Sequence, residues 1–242
     1  MYKTKEIATL VGLHPNTVRI YEEWGFISPV PRKANGYRIY SDTHLFQLKI
    51  ARTIFRCEIV QGDIRKKARE IVYACGKEDF IKAEQLTINY LANLEREYSH
   101  ALAATKIVER WLKEESTVSS CTYSRKEVAL LLDSTPEAVR NWERNGLIKV
   151  PRLDNGNRLY GERELEQLRI IRSLRSAHYS INAILRLLKQ IQQPSPDIVA
   201  ILNSPTDEED IVSVTDQLGT SLLDAIADAK DTLALLHEKT TF

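Results

Sequence analysis

Apolar positions near the start of the chain follow the helical period in two short runs separated by a turn. The first run is predicted to begin near Thr4 and to end at Gly12. The second is predicted to begin at Pro15, because the first helical turn does not need the N–H that proline lacks, and to end at Gly25. Two short helices joined by a tight turn predict a helix-turn-helix. The apolar positions are Ile7, Ala8, Leu10 and Val11, then Val18, Tyr21 and Trp24.

The same pattern returns in the second half of the chain. Residues 2–27 read YKTKEIATLVGLHPNTVRIYEEWGFI, and residues 123–148 read YSRKEVALLLDSTPEAVRNWERNGLI, at a shift of 121 positions. In this copy Ser134 and Thr135 are possible caps, and the second helix is predicted from Pro136 to Gly146. A repeat of this length predicts one folding unit used twice.

Each pair of helices is followed by a hairpin signal. Asn35-Gly36 and Asn155-Gly156 are the residue pairs most typical of a tight hairpin turn, and a short segment lies on either side of each. Each copy is therefore predicted to carry a wing. Helices are predicted to follow, one capped by Ser41 and containing Leu45, Leu48 and Ile54, and another capped by Ser180 and containing Ile184, Leu187 and Leu188.

Two longer stretches have the alternating four- and three-residue spacing that forms a coiled-coil seam. Helices of this length extend beyond the core of either copy, so each is predicted to need a partner; packing on its own winged unit is the alternative. The first seam comprises Thr87, Leu91, Leu94, Tyr98, Ala101, Thr105, Val108 and Leu112, and the second comprises Ile211, Thr215, Leu218, Leu222, Ala225, Ala229, Thr232 and Leu236.

Together these patterns predict a mainly α fold with two winged helix-turn-helix domains, each followed by a long helix of an antiparallel coiled coil. The predicted divisions are a first winged domain at 1–75, a long helix at 76–116, a linker at 117–122, a second winged domain at 123–193, and an acidic C-terminal segment with the second long helix at 194–242.

The composition is typical of a soluble globular protein, with 43% hydrophobic and 28% charged residues. No apolar run approaches the roughly 20 residues that cross a bilayer, and no signal pattern is present. Three widely spaced cysteines argue against a disulfide framework. The sequence therefore predicts a cytoplasmic protein with no membrane partner.

The net charge of +1 conceals a division along the chain. Residues 1–75 carry a net charge of +6 and residues 119–193 carry +5, whereas residues 76–118 carry −2 and residues 194–242 carry −8. A polyanion such as nucleic acid is attracted to the two copies and repelled by the C-terminal end. Charge runs are often only solvated faces, but the same sign in both copies favours a functional surface.

These residues resemble, twice, the DNA-binding domain of the MerR family of bacterial transcription regulators. The resemblance rests on HPNTVRIYEEWGFI with NGYRIYSDTHLFQLKIAR, and on TPEAVRNWERNGLI with NGNRLYGERELEQLRIIR. It implies double-stranded DNA as a partner, with RNA polymerase as a second partner at promoters. It also implies that a long helix pairs antiparallel with that of a second subunit, and that the dimer distorts an over-long promoter spacer.

A short linker favours a coil whose two helices belong to one chain. In the family's antiparallel dimer, the far end of one long helix lies near the DNA-binding domain of the other subunit. Here only residues 116–122 separate the end of the first long helix, near Glu115, from the second winged domain, a span of at most about 23 Å. A single-chain pseudo-dimer is therefore favoured over a homodimer with four winged units.

By the resemblance, DNA-binding residues lie on the second helix of each helix-turn-helix and on the wing. The helix would read base edges, and the wing suits phosphate or minor-groove contact. The second copy has Glu137 and Asn157 where the first has Asn16 and Tyr37, which favours weaker binding by the second copy. The predicted DNA-binding residues are Asn16, Thr17, Arg19, Tyr21, Lys33, Tyr37 and Arg38 in the first copy, and Arg140, Asn141, Arg152 and Arg158 in the second, with Glu137 exposed beside them.

Some of these residues have a structural alternative. Arg19 and Arg140 can instead pair with nearby glutamates, namely Glu22, Glu23 and Glu143. Tyr21 is expected to offer its hydroxyl to a phosphate, whereas Trp142 at the same place in the second copy is expected to pack.

No catalytic, metal or cofactor site is predicted, and the protein is not expected to be an enzyme. Relatives that sense metal or redox state cluster cysteines near the end of the long helix. Here Cys57 is placed in a helix of the first winged unit, Cys75 before the first long helix and Cys121 after it. The histidines are scattered, and no nucleophile motif or glycine-rich phosphate loop occurs.

The predicted function is a sequence-specific DNA-binding transcription regulator that acts as a pseudo-dimer at an asymmetric promoter site. One alternative is an architectural or excision-type protein that bends DNA without acting on transcription. Another is a protein adaptor for the transcription machinery. Binding to naked DNA separates the first two from the adaptor.

Overall fold

The computed structural model describes residues 1–57, 63–113, 121–150, 158–191, 196–204 and 217–241. Within these ranges the chain forms helices joined by turns. The β-type pairing in these ranges consists of isolated antiparallel bridges. The mainly α fold class is confirmed. No described helix is long and apolar enough to span a membrane. The helices are α1 (Thr4–Leu10), α2 (Pro15–Glu23), α3 (Asp42–Ile54), α4 (Ile64–Gly76), α5 (Phe80–Lys113), α6 (Arg125–Leu131), α7 (Pro136–Arg144), α8 (Glu162–Ser176), α9 (Ile181–Gln190), α10 (Ile198–Asn203) and α11 (Leu218–Thr241).

The chain divides into two compact units. Unit 1 comprises Met1–Arg96 and Leu222–Phe242, and unit 2 comprises Glu97–Ser221. Each unit therefore contains one helix-turn-helix, a part of α5 and a part of α11. The division into five consecutive segments that the sequence predicts remains a prediction.

In unit 1, α1 and α2 form the helix-turn-helix where the sequence predicts it. Pro15 occupies the first position of α2, and the His14 side chain caps that helix by accepting the Asn16 N–H at 3.2 Å. Gly25 follows the helix with φ +73°, a left-handed conformation that costs glycine little. The core beneath the two helices consists of Ile7, Ala8, Val11, Val18, Ile27, Val30, Tyr40 and Leu48.

The turn predicted at Asn35-Gly36 is present in unit 1. Gly36 has φ +80°, the Lys33 N–H donates to the Tyr37 carbonyl at 2.8 Å, and Arg32 and Arg38 form an antiparallel bridge. The returning arm then pairs with the start of the chain. Tyr2 and Tyr40 exchange two backbone hydrogen bonds, of 2.7 and 2.9 Å, which fixes this arm against α1.

Unit 2 repeats this arrangement. Thr135, one of the two predicted caps, caps α7 by accepting the Ala138 N–H at 3.1 Å. Asp133 takes the left-handed conformation between α6 and α7 that Gly12 takes in unit 1. Tyr123 and Tyr160 exchange backbone hydrogen bonds of 2.8 and 2.9 Å, as their counterparts do in unit 1. The turn predicted at Asn155-Gly156 lies outside the described residues.

One buried glutamine in unit 1 joins three segments. Gln47 of α3 accepts from the Ser28 backbone N–H at 2.9 Å and donates to the Cys75 carbonyl of α4 at 2.7 Å. Gln167 of α8 donates to the Leu147 carbonyl at 2.9 Å in unit 2. Because a buried polar side chain is costly unless it is hydrogen-bonded, these contacts fix the helix that follows each wing.

In unit 1, α11 lies along the first part of α5 and runs in the opposite direction. Glu84 accepts from Thr240 and pairs with His237, both at 2.9 Å, whereas Glu95, further along α5, faces Lys230, earlier on α11, at 3.9 Å. Hydrogen bonds from His237, which has the larger effect, and from Thr240 hold the pKa of Glu84 below its ordinary value. At described positions both predicted seams are buried or half-buried. Ile211, Thr215 and the Leu112 side chain lie outside the described part.

In unit 2, a short helix that the sequence pattern does not predict covers α9. This helix, α10, is capped by Asp197, whose side chain accepts the Ala200 N–H at 3.0 Å. The buried Arg186 of α9 donates to the Ile201 carbonyl at 2.6 Å and to the Leu202 carbonyl at 3.2 Å. A buried guanidinium thus satisfies carbonyls that the end of a helix leaves unpaired.

Candidate nucleic-acid interface

The second helix of the helix-turn-helix in unit 1, α2, is the predicted recognition helix, and it turns its polar residues outward. Asn16 and Arg19 are exposed and Thr17 is half-buried, while Val18 faces the core. Arg19 donates to the Asn16 side-chain oxygen at 3.0 Å. The two side chains predicted to read bases are therefore hydrogen-bonded to each other on the exposed face of α2.

The equivalent helix of unit 2, α7, has the same division. Glu137, Arg140 and Asn141 are exposed, and Val139 and Trp142 are buried. The exposed set differs in charge from that of unit 1, because it contains a carboxylate. The expectation that Trp142 packs is confirmed by its burial.

The wing arginines pair with glutamates of the recognition helices. Arg38 pairs with Glu22 in unit 1, and Arg158 pairs with Glu143 in unit 2. Two of the three glutamates that could have paired with Arg19 and Arg140, namely Glu22 and Glu143, thus bind the wing arginines. Across the described residues neither Arg19 nor Arg140 has an ion pair. These contacts tie Arg38 to α2 and Arg158 to α7.

Tyr21 is held by aromatic packing. Its ring meets Phe26 and Phe55 edge-on at centroid distances of 5.4 and 6.1 Å. Burial raises the pKa of Tyr21, and the nearby positive charge of Arg52 opposes that rise in part. The side chain is half-buried and neutral, so it can act only as a hydrogen-bonding hydroxyl.

The remaining wing residues of unit 1 are accessible. Lys33 and Tyr37 flank the turn, and the Tyr37 side chain is among the most exposed aromatic groups of the chain, at 72%. Arg152, the predicted wing cation of unit 2, lies outside the described residues.

Sequence reasoning missed two glutamates and one arginine at this surface. The helical spacing indicates Glu22 and Glu143 only as partners of arginines on their own helices. Arg125, at the start of α6, lies 3.3 Å from Glu143 and was not considered. The signal was available, because the two glutamates and the two wing arginines recur at matching places in the two copies.

All three cysteines are free thiols. Cys75 is buried in α4, and burial raises the pKa of its thiol to about 12. Cys57 follows the end of α3 instead of lying within a helix, which corrects the predicted placement; α3 ends at Ile54 because Phe55 leaves the helical conformation. Among the described residues, no three His, Cys, Asp or Glu side chains converge to hold a metal ion.

Comparison with known proteins identifies both helix-turn-helix regions. The pattern described as "MerR family regulatory protein" matches residues 3–40, and that described as "MerR HTH family regulatory protein" matches residues 123–191. These matches cover α1, α2 and the wing of unit 1, and α6 to α9 of unit 2. The families matched are regulatory proteins and not enzymes.

The chain is also similar to curated regulators over a short stretch. It is 40% identical over 47 residues to the HTH-type transcriptional regulator CueR of Escherichia coli O6:H1, which is 19% of this chain and 35% of that protein. It is also 40% identical over 47 residues to the CueR of Salmonella typhi, and these residues cover 34% of that protein. The chain thus spans about a third of the length of these relatives. No solved structure matches it. Each half of the chain thus contains one helix-turn-helix region that matches a MerR-family pattern.

Proposed function

We propose that this chain is a sequence-specific DNA-binding transcription regulator of MerR type. The observation that carries the proposal is the presence, in each family-matched region, of a recognition helix with a buried apolar side and an exposed polar side. The basic charge of both regions supports double-stranded DNA as the partner. RNA polymerase is the further partner at promoters, and the protein acts in the cytoplasm without a cofactor.

The two units act as a pseudo-dimer within one polypeptide. Contacts of Glu84 and Glu95 with α11 support this, because they pair the first long helix with the second in opposite directions and in the same chain. The apolar seam positions support it further, because their burial leaves little of either seam for a second chain. The residues assigned to this pairing are Leu91, Leu94, Tyr98, Leu112, Leu218, Leu222 and Leu236.

The bound site is asymmetric. Recognition helices that differ in sequence read different bases, and Asn16 and Thr17 of unit 1 stand where unit 2 has Glu137 and Ala138. A carboxylate accepts hydrogen bonds and repels phosphate, so the second half-site is expected to differ in sequence from the first. The DNA-contacting residues are Asn16, Thr17, Arg19, Tyr21, Lys33, Tyr37, Arg38, Arg140, Asn141, Arg152 and Arg158.

Footprinting on the protein's own genomic DNA, followed by light scattering of the purified complex, tests the proposal. We expect one protected site with two unlike halves about one helical turn apart or a small multiple of it, bound by one chain. A two-chain complex on a palindromic site would exclude the pseudo-dimer. Absence of any DNA binding would exclude the regulator and favour the protein adaptor.

Transcription from the footprinted promoter separates regulation from DNA architecture. We expect the protein to change transcript levels from that promoter, and the change to depend on spacer length. An architectural or excision-type protein would bend the same DNA without altering transcription when the spacer is changed. The matched control is Arg19→Ala with Arg140→Ala, which removes the exposed recognition-helix cations and leaves the cores intact.

A further inference from the structure

The two wing arginines occupy clusters of unequal charge. In unit 1, Arg38 pairs with Glu22, and within the described residues it is the one cation that does so. In unit 2, Glu143 is contacted by both Arg158 and Arg125. The first cluster is therefore electrically neutral, whereas the second has two cations for one carboxylate and a net charge of +1.

The glutamate of unit 2 is also the more deeply buried one. The Glu143 side chain is 3% exposed and that of Glu22 is 15% exposed. Arg125 Nη2 lies 3.3 Å from one Glu143 oxygen and 3.5 Å from the other, and the Tyr160 hydroxyl donates to the same carboxylate. If Arg158 turns toward another anion, Glu143 keeps a cation and a hydroxyl. A buried carboxylate left without a cation would be costly, and Arg125 prevents this.

Among its described residues, unit 1 has no equivalent of this second cation. The paired tyrosines, Tyr2 with Tyr40 and Tyr123 with Tyr160, align the two units residue by residue, and they place Thr4 where unit 2 has Arg125. If Arg38 turns toward a phosphate, Glu22 loses its described cation. The phosphate also meets a carboxylate that already neutralises Arg38.

We propose that Arg125 is a positioning residue that holds Glu143 and thereby frees the wing arginine Arg158 to bind a DNA phosphate, so that the wing of unit 2 contacts the backbone more strongly than the wing of unit 1. This inference rests on the proposed DNA-binding function. Arg125 acts through Glu143 and does not itself touch DNA. In unit 1, Thr4 stands in place of that cation, so the Arg38–Glu22 pair is electrically neutral.

The salt dependence of binding measures the effect directly. Each phosphate neutralised by the protein releases counterions and steepens the plot of log affinity against log salt by about 0.9. Arg125→Thr makes the cluster of unit 2 neutral, as in unit 1, and we expect the slope to become shallower by about 0.9. Between 50 and 200 mM salt this corresponds to a fold-change in affinity that is about 3.5 times smaller.

Rescue separates positioning from a general loss of charge. In the double variant Arg125→Thr with Glu143→Gln, no carboxylate holds Arg158, so we expect the original slope to return. Thr4→Arg supplies unit 1 with the missing cation and should steepen the slope by about 0.9. Lys126→Thr is the matched control, because Lys126 is exposed next to Arg125 and lies in the same helix. That change should leave the slope as it was.

The probe is the duplex footprinted with the unchanged protein, and circular dichroism confirms that each variant is folded. If the unchanged protein does not bind this duplex, the proposed function fails. If it binds but Arg125→Thr leaves the slope unaltered, or if Glu143→Gln does not rescue it, the positioning role of Arg125 is wrong. An equal change in Lys126→Thr would also overturn it, because the effect would then be one of total charge.

Discussion

Replacing Leu236 with alanine tests whether α11 is anchored within its own chain. Leu236 lies in α11, and its side chain is fully buried. The next residue, His237, contacts Glu84 of α5. Its removal leaves a cavity in the seam of unit 1. Buried Leu→Ala changes destabilise proteins by about 2–5 kcal/mol, from lost burial plus the cavity. We expect a loss in the free energy of unfolding within this range.

The same helix provides a matched control. Leu223 is 48% exposed, and its replacement by alanine removes the same atoms without opening a buried cavity. Alanine also favours the helix slightly more than leucine does. We therefore expect Leu223→Ala to change the free energy of unfolding by no more than about 0.5 kcal/mol.

Urea unfolding followed by circular dichroism, at two protein concentrations tenfold apart, gives both answers. If α11 pairs with α5 of its own chain, the midpoint is independent of protein concentration. Pairing between two chains would instead add about 1.4 kcal/mol of stability for each tenfold rise in concentration. Equal effects of Leu236→Ala and Leu223→Ala, or a midpoint that rises with concentration, would refute the intramolecular seam.

Further predictions concern the three cysteines, Glu84 and two glycines. Replacing Cys57, Cys75 and Cys121 together by serine should leave DNA affinity unchanged in a binding titration. In the unchanged protein, burial raises the pKa of Cys75 to about 12, so Cys75 should be alkylated more slowly at pH 8 than the exposed Cys121. Mass spectrometry measures the two rates. The pKa of Glu84 is lowered in the folded state. The contribution of the Glu84 carboxylate to stability is therefore complete above its ordinary pKa of about 4.3 and is lost as the pH falls through the folded-state pKa. In unfolding measured as a function of pH, Glu84→Gln should remove this contribution to the acid sensitivity. Gly25→Ala and Gly146→Ala should each lower the free energy of unfolding by about 1 kcal/mol, since both glycines are left-handed and the added methyl group meets no neighbour.

Local sequence signals predict most of the helical architecture. Pro15 and Pro136 mark the starts of both recognition helices, and Ser41 and Ser180 cap the helices that were assigned to them. These signals work because they act within one turn of the chain. The alternating seam spacing likewise identifies the buried side of α5, from Thr87 onward.

Contacts between distant residues are what the sequence leaves undetermined. A wing arginine and a recognition-helix glutamate lie 16 positions apart in unit 1, and nothing in the helical period indicates that they meet. The Arg186 contacts with the carbonyls of α10 are of the same kind. Such pairs depend on how the turns aim each segment, so only comparison of the two copies provides a hint of them.

Placing two unlike copies in one chain changes what a DNA reader can do. Identical subunits must present identical recognition helices. A homodimer would therefore present either Asn16 or Glu137 to both half-sites, and could not present one residue to each. A tandem chain removes that constraint. It also removes the need for two chains to associate before binding, because the second unit is always present at the effective concentration set by the connecting helices. The cluster of Arg125, Glu143 and Arg158 against that of Glu22 and Arg38 then acquires a meaning that it would lack in a homodimer. If the proposed roles hold, the wing of unit 2 contacts phosphate more strongly than that of unit 1, and this difference would orient the protein on an asymmetric promoter.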